Sequence, residues 1–449
     1  MDISTLTFDQ RDEFNRRAIA EKTISLLTSD IEVSPLIIDG DWGTGKSEFC
    51  HKLINLMKVS HTEHQLIYVD AYKADNVDEP LLTLLAEIMK LVPKGLQQKS
   101  FFKKILPTLK FGLKAGAKGA VGHLLKQDFA DVADDFDKEI KQVSDKIIDS
   151  SVESLLKGHV EASKNLQALQ SALTELAKEN PITIFVDELD RCRPDYAVAI
   201  LETIKHVFDV VNVQFVLVTN STQLRASINH CYGSEVNSQR YLDKFIGFSF
   251  VLPEVVQSQY GKLVAIAHYV NLIRSSKALK TSKLDQGGNV KFIEDLIQVN
   301  NWSLREIETF VKHLEIYQVL TGSYAFENLG NNILTLLGVA IFCFNPEQKR
   351  KLTKGVVDGK SLTSFIGCYE LYQWENGTKG PTINETIAAV IANESSDKIQ
   401  EFEPNSETVA ANYEERFQGA FKDGHFSIDT GERLSISREA INTLSFANG

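Results

Sequence analysis

Residues 37–57 read IIDGDWGTGKSEFCHKLINLM. A short apolar run, Leu36 to Ile38, enters a glycine-rich turn. Apolar residues then recur at helical spacing, at Phe49, Leu53, Ile54 and Met57. The turn, Gly40-Asp41-Trp42-Gly43-Thr44-Gly45-Lys46-Ser47, has the form G-x-x-x-x-G-K-S. Between a strand and a helix this pattern predicts a loop that cradles phosphate. Gly40, Gly43 and Gly45 are expected to take positive φ. Backbone N–H groups then curl toward an anion, and the helix starting near Lys46 aims its positive end at it. The expected nucleotide cradle is Gly40, Asp41, Trp42, Gly43, Thr44, Gly45, Lys46, Ser47 and Glu48. Lys46 would reach the β- and γ-phosphates, and the Ser47 hydroxyl would ligate Mg²⁺.

Such a site needs an acidic residue at the end of a neighbouring buried strand, and PITIFVDELDRCRPD supplies one at 181–195. Ile182 to Val186 is a continuous β-rich run, as expected for a strand covered on both faces. Asp187 follows at the end where ligands bind in open parallel sheets. It is expected to hold Mg²⁺, with Glu188 orienting or deprotonating the attacking water. The alternative is a solvated turn after a strand. VQFVLVTN, 213–220, is a further strand, and Asn220 at its end serves either the γ-phosphate and attacking water or an ordinary turn. HQLIYVDAY, 64–72, is another strand, and 195–209 is helix-like. Alternation of this kind predicts a doubly wound parallel α/β sheet.

The sequence resembles the KAP family of P-loop NTPases, a branch related to the AAA+ and STAND ATPases. Four stretches carry the resemblance: DGDWGTGKS, with Trp42 in the family's usual place; YVDAYKAD, 68–75, where Asp70 and Tyr72 replace the family's Asn and Trp; FVDELDRCRPD, including Asp190, Arg191 and Cys192; and RYLDKFIGFSFVLPE, 240–254. It covers about residues 10–320. It implies an ATPase using Mg²⁺, working as an oligomeric switch or motor, with bacterial defence against phages as a setting. It further implies that Arg16 or Arg17 lies near the base and that Arg240 reaches a neighbouring subunit's site as an arginine finger. Arg305, in NNWSLREIETFVKHL, stands where the family carries a sensor arginine, although the family's usual proline is missing there. No N-K-x-D element is present to read guanine, and the resemblance favours ATP.

Around the nucleotide core the expected divisions are 1–90 and 181–254 for its two halves, 91–180 for an insert, 255–325 for a helical lid and 326–449 for a mostly helical C-terminal domain. Lys90 to Gln127 contains nine lysines interleaved with apolar residues and no Asp or Glu, before the sign flips in DFADVADDFDKEI. Ordinary packing or self-association, a peripheral contact with an anionic membrane surface, and nucleic-acid binding all remain open for it. Residues 137–179 carry an approximate helical leucine stripe, Leu155 to Leu176, suited either to packing on the core or to a protein partner. NNILTLLGVAIFC, 331–343, is apolar but too short to span a bilayer and reads as a buried helix. The C-terminal region shows no catalytic or metal-ligating grouping, so effector chemistry is expected on another polypeptide.

The 449 residues are 43% apolar and 24% charged, ordinary for a globular chain of two or three domains. The net charge of -12 argues against a surface that binds nucleic acid throughout. Five cysteines with no C-x-x-C spacing argue against a disulfide framework. With a polar N-terminus and no long apolar run, the expected location is the cytoplasm, at most peripheral to the inner face of the membrane. Two functions follow. One is an ATPase that cycles or switches. The other is a nucleotide-dependent scaffold that recruits a membrane, nucleic acid or protein with little turnover. Phosphate transfer to a small molecule is a third, disfavoured because the Asp187-Glu188 pair suits water as the acceptor.

Overall fold

The computed structural model describes residues 2–12, 14–75, 84, 87–88, 90–92, 170–171, 173–205, 210–253, 264–322, 329–375, 380–421 and 432–446. The basic stretch expected to contact a membrane or nucleic acid lies outside them apart from its first three residues, as does the leucine stripe before residue 170. The chain divides into two compact units, 1–252 and 253–449.

The N-terminal unit is built on five parallel strands: β1 (Leu36–Asp39), β2 (Gln65–Asp70), β3 (Ile182–Asp187), β4 (Val213–Thr219) and β5 (Phe248–Val251). Their order is β2-β3-β4-β1-β5. The period-2 alternation of side chains sorts the strands onto two apolar layers. Ile182, Ile184 and Val186 share one cluster with Ile37, Phe215 and Leu217. Phe185 joins Leu36, Ile38, Val216 and Val218 in the other. The first layer is covered by α4 (Pro194–Lys205) and α5 (Ser221–Tyr232), the second by α1 (Arg17–Leu27) and α2 (Lys46–Ser60). Helices on both faces explain why β3 is buried at every residue. Two short helices also belong to this unit, α3 (Ala71–Ala74) after β2 and α6 (Ser238–Leu242) before β5.

The register places the functional residues. Asp70 pairs with Asp187 at the ends of β2 and β3, and Asp39 pairs with Thr219 at the ends of β1 and β4. The carboxyl ends of four adjacent strands thus meet on one edge of the sheet. Sequence periodicity pointed to four strands and missed β5. That strand is four residues long, pairs with β1 alone among the described residues and is largely exposed, so it lacks the buried run that betrays the others.

The described part of the C-terminal unit is helical: α7 (Val264–Ser275), α8 (Gly287–Asn300), α9 (Leu304–Thr321), α10 (Leu329–Phe344), α11 (Pro346–Thr353), α12 (Gly359–Phe365), α13 (Ile383–Asn393), α14 (Glu407–Phe421) and α15 (Ser435–Leu444). One apolar cluster runs from Ile266 to Leu444, so the segments expected as lid and as C-terminal domain share a core. Its centre is α10, buried from Asn332 through Ile341. Gly338 lets α15 approach closely, since a Cβ there would lie 2.5 Å from the Ser437 carbonyl oxygen. The Ser437 hydroxyl in turn donates to Leu334 O at 2.6 Å. Among the described residues, no helix is long and apolar enough to cross a membrane.

Candidate functional site

The loop from β1 into α2 takes its shape from its glycines. Gly43 and Gly45 adopt φ of 78° and 82°, values costly for any residue with a Cβ. Gly40 does not adopt positive φ, contrary to the sequence expectation. Its role is space, because a Cβ there would lie 2.9 Å from the Thr44 hydroxyl. Thr44 folds back to donate to Asp41 O. The Lys46 ammonium is buried and donates to Gly40 O at 2.7 Å and Asp41 O at 3.0 Å, closing the loop on itself. Burial lowers its pKa, and the nearby carboxylates of Asp190, Asp187 and Glu188 oppose that shift.

Opposite the loop, β3 delivers Asp187, which is 1% exposed. Its Oδ2 accepts from the Tyr68 hydroxyl at 3.0 Å, and its Oδ1 from the Glu188 N–H at 2.8 Å. Burial pushes its pKa up to about 6, although the hydrogen bonds from Ser47, Glu188 and Tyr68 pull the other way. The Ser47 hydroxyl lies between the two carboxylates and donates to Glu188 Oε1 at 3.2 Å. Glu188 itself is left-handed, with φ of 61°. This conformation is uncommon for a residue with a Cβ and turns the chain sharply after the strand. Its carboxylate is ion-paired with Arg191, three residues on.

Further contacts tie the loop to β4. Asp39 Oδ1 accepts from the N–H groups of Gly40 and Ser221. Asn220 caps α5 through its Oδ1 and donates from Nδ2 to Asp41 at 3.0 Å. Its amide is therefore engaged in holding helix and loop. Trp42 is 46% exposed, and its indole N–H donates to Asp190. Glu48 turns away from the loop toward Lys52, which binds it at 2.6 Å, with Arg11 beside it.

The structure separates the two adjacent N-terminal arginines. Arg16 is 4% exposed and donates from Nη1 to Thr44 O in the loop. Arg17 is engaged at the surface by Asp9 and Glu21. Arg240 lies exposed on α6, and its guanidinium has no partner among the described residues. Arg305, the second residue of α9, is exposed in the C-terminal unit. Tyr68 is the contact sequence reasoning missed. It lies 119 positions from Asp187, and no spacing rule joins them until β2 and β3 are paired in register.

The donors gathered here fit a divalent cation and a polyphosphate. Ser47 and Asp187 are hard oxygen ligands of the kind Mg²⁺ takes, and Asp187 is a buried carboxylate whose charge burial disfavours. Such a cation, when bound, would draw charge from the phosphate oxygens.

No curated protein matches the chain by sequence. Among solved structures, the Aeropyrum pernix ORC2 protein in ADPNP-ADP complexes is similar at 12% identity and a TM-score of 0.35, over 96% of this chain and 94% of that one. Residues 16–321 match the family described as the KAP family P-loop domain. That match spans more than half of the chain and includes every loop and strand of the site, and the protein belongs to the KAP family of nucleotide-binding P-loop proteins.

Proposed function

We propose that this protein binds ATP with Mg²⁺ and hydrolyses it as a switch. The observation that carries this reading is the juxtaposition of Lys46 and Ser47, at the start of α2, with Asp187 and Glu188, at the end of β3. The Ser47 hydroxyl bridges them, lying between the two carboxylates and donating to Glu188 Oε1. Lys46 would leave its loop carbonyls for the β- and γ-phosphates. Ser47 and Asp187 would hold Mg²⁺, and Glu188 would orient the attacking water and take its proton. The exposed guanidinium of Arg240 suits a contact supplied to a second copy of the chain, which would couple assembly to turnover. The setting in defence against phages is drawn from the family and from no residue of this chain.

A second reading, a nucleotide-dependent scaffold with little turnover, has one observation in its favour. The Glu188 carboxylate is already held by Ser47 and Arg191. Steady-state hydrolysis measured across protein concentration separates the two. The ATPase reading expects turnover that Lys46→Ala and Glu188→Gln each lower on the order of 100-fold or more. It also expects specific activity that rises with concentration and loses that rise in Arg240→Ala. Arg305→Ala tests in the same assay whether that cation serves the γ-phosphate. Wild-type protein that binds ATP without turnover at any concentration would sink the ATPase reading and leave the scaffold.

A further inference from the structure

The turn Leu189–Arg191, directly after Glu188, holds two neighbouring charged residues that face different parts of the site. Arg191 pairs with the Glu188 carboxylate. Asp190 is buried, accepting from the Trp42 indole N–H at Oδ2 (2.5 Å) and from the Thr219 hydroxyl at Oδ1 (3.4 Å). A buried carboxylate is retained only where donors satisfy it. One of those donors sits on the phosphate loop, between Asp41 and Gly43. The other closes β4, so Asp190 is braced from behind while its front contact rides on the loop. Trp42 is anchored at its indole edge and otherwise 46% exposed, a large side chain whose hydrogen bond moves with the backbone that wraps a phosphate.

We propose that the Trp42–Asp190 contact is a relay that carries occupancy of the phosphate loop to Glu188, through the short helical turn Leu189–Arg191. This deepens the ATPase reading and rests on it. Nucleotide moves the loop from its self-closed form, in which Lys46 caps Gly40 and Asp41. Trp42 shifts with the loop and Asp190 follows the indole. The one-turn helix then transmits the displacement to the Arg191–Glu188 pair. Trp42 and Asp190 are positioning residues, acting on the water-orienting carboxylate through Arg191.

The test is a double-mutant cycle on the full chain, with Trp42→Phe, Asp190→Asn and the double variant. ATP affinity is measured by calorimetry and turnover in the steady state. Each single variant is expected to lower kcat about tenfold while ATP affinity changes less than about threefold, and the double variant is expected to be no worse than either single one. Multiplying effects, a loss confined to affinity, or no effect from Trp42→Phe would each overturn the relay. If Asp190→Asn fails to fold, Thr219→Val, which removes the brace behind Asp190, takes its place in the cycle. If wild-type protein shows no turnover, the ATPase reading fails, and the relay is judged by fluorescence. ATP must change an emission that Trp42→Phe lacks. If ATP changes the emission of wild type no more than that of Trp42→Phe, Trp42 does not move with the loop and the relay is overturned.

Discussion

Replacing Asp187 by Asn should stabilise the nucleotide-free protein while removing its response to Mg²⁺ and ATP. The rise of the Asp187 carboxyl from an ordinary 3.8 to about 6, caused first by burial, corresponds to about 3 kcal/mol of native-state destabilisation at pH 8. The sign follows from proton binding. Between those two values the folded protein keeps a proton that the unfolded chain has released, so stability falls as pH rises and then stays low. Asn is nearly isosteric and never ionises, so it escapes this fall. Its amide group would face the Tyr68 hydroxyl, which can accept. In a unit of this size about 3 kcal/mol appears as roughly 6 to 12 °C in the melting temperature. The same linkage halves the gap to about 1.6 kcal/mol at pH 5. The assay is thermal unfolding of wild type and Asp187→Asn at pH 5 and 8, without nucleotide and with saturating ATP and Mg²⁺. Nucleotide at a hundred times its Kd should add about 2.7 kcal/mol to wild type and little to the variant. A variant that melts at or below wild type at pH 8, or a gap that does not shrink at pH 5, would refute the argument that burial of this carboxylate is costly.

Other consequences can be checked by simpler means. Tyr68→Phe removes one donor to Asp187 without changing ring packing, and should weaken the Mg²⁺-dependent gain in ATP affinity several-fold while leaving Mg²⁺-free affinity unchanged. Titration of a fluorescent ATP analogue with and without Mg²⁺ reads this directly. Arg16→Gln should weaken nucleotide binding about tenfold, since it removes a charged donor to the loop, whereas Arg17→Gln should leave it unchanged; calorimetry on the pair decides. Gly338→Val should lower the stability of the C-terminal unit by about 1 to 3 kcal/mol, because its side chain must displace the α15 backbone at Ser437. Ser303→Ala breaks the capping box with Glu306 at the start of α9 and should cost about 1 kcal/mol in a denaturant titration.

What a sequence can determine depends on how far apart the interacting atoms lie along it. The phosphate loop was legible because one local stretch carries its instructions: glycines for the left-handed positions at Gly43 and Gly45, and a helix start that presents Lys46 and Ser47. The parallel sheet was legible because burial on both faces writes itself as continuous β-rich runs, Ile182 to Val186 being the clearest. Asp187 and Glu188 followed from their place at the end of such a run. The rest waited for tertiary structure. Arg16 and Arg17 are equivalent in sequence, and only the packing of α1 against α2 turns one to Thr44 and the other to solvent. Asn220 reads as a site residue or a turn with equal ease until its amide is seen bridging Asp41 and the α5 cap. Gly40 reads as a conformational glycine, but the fold uses it for clearance. The Tyr68–Asp187 and Trp42–Asp190 contacts join residues more than a hundred positions apart. Strand register and layer packing bring those pairs together, and both are collective products of the whole core, which no short pattern encodes.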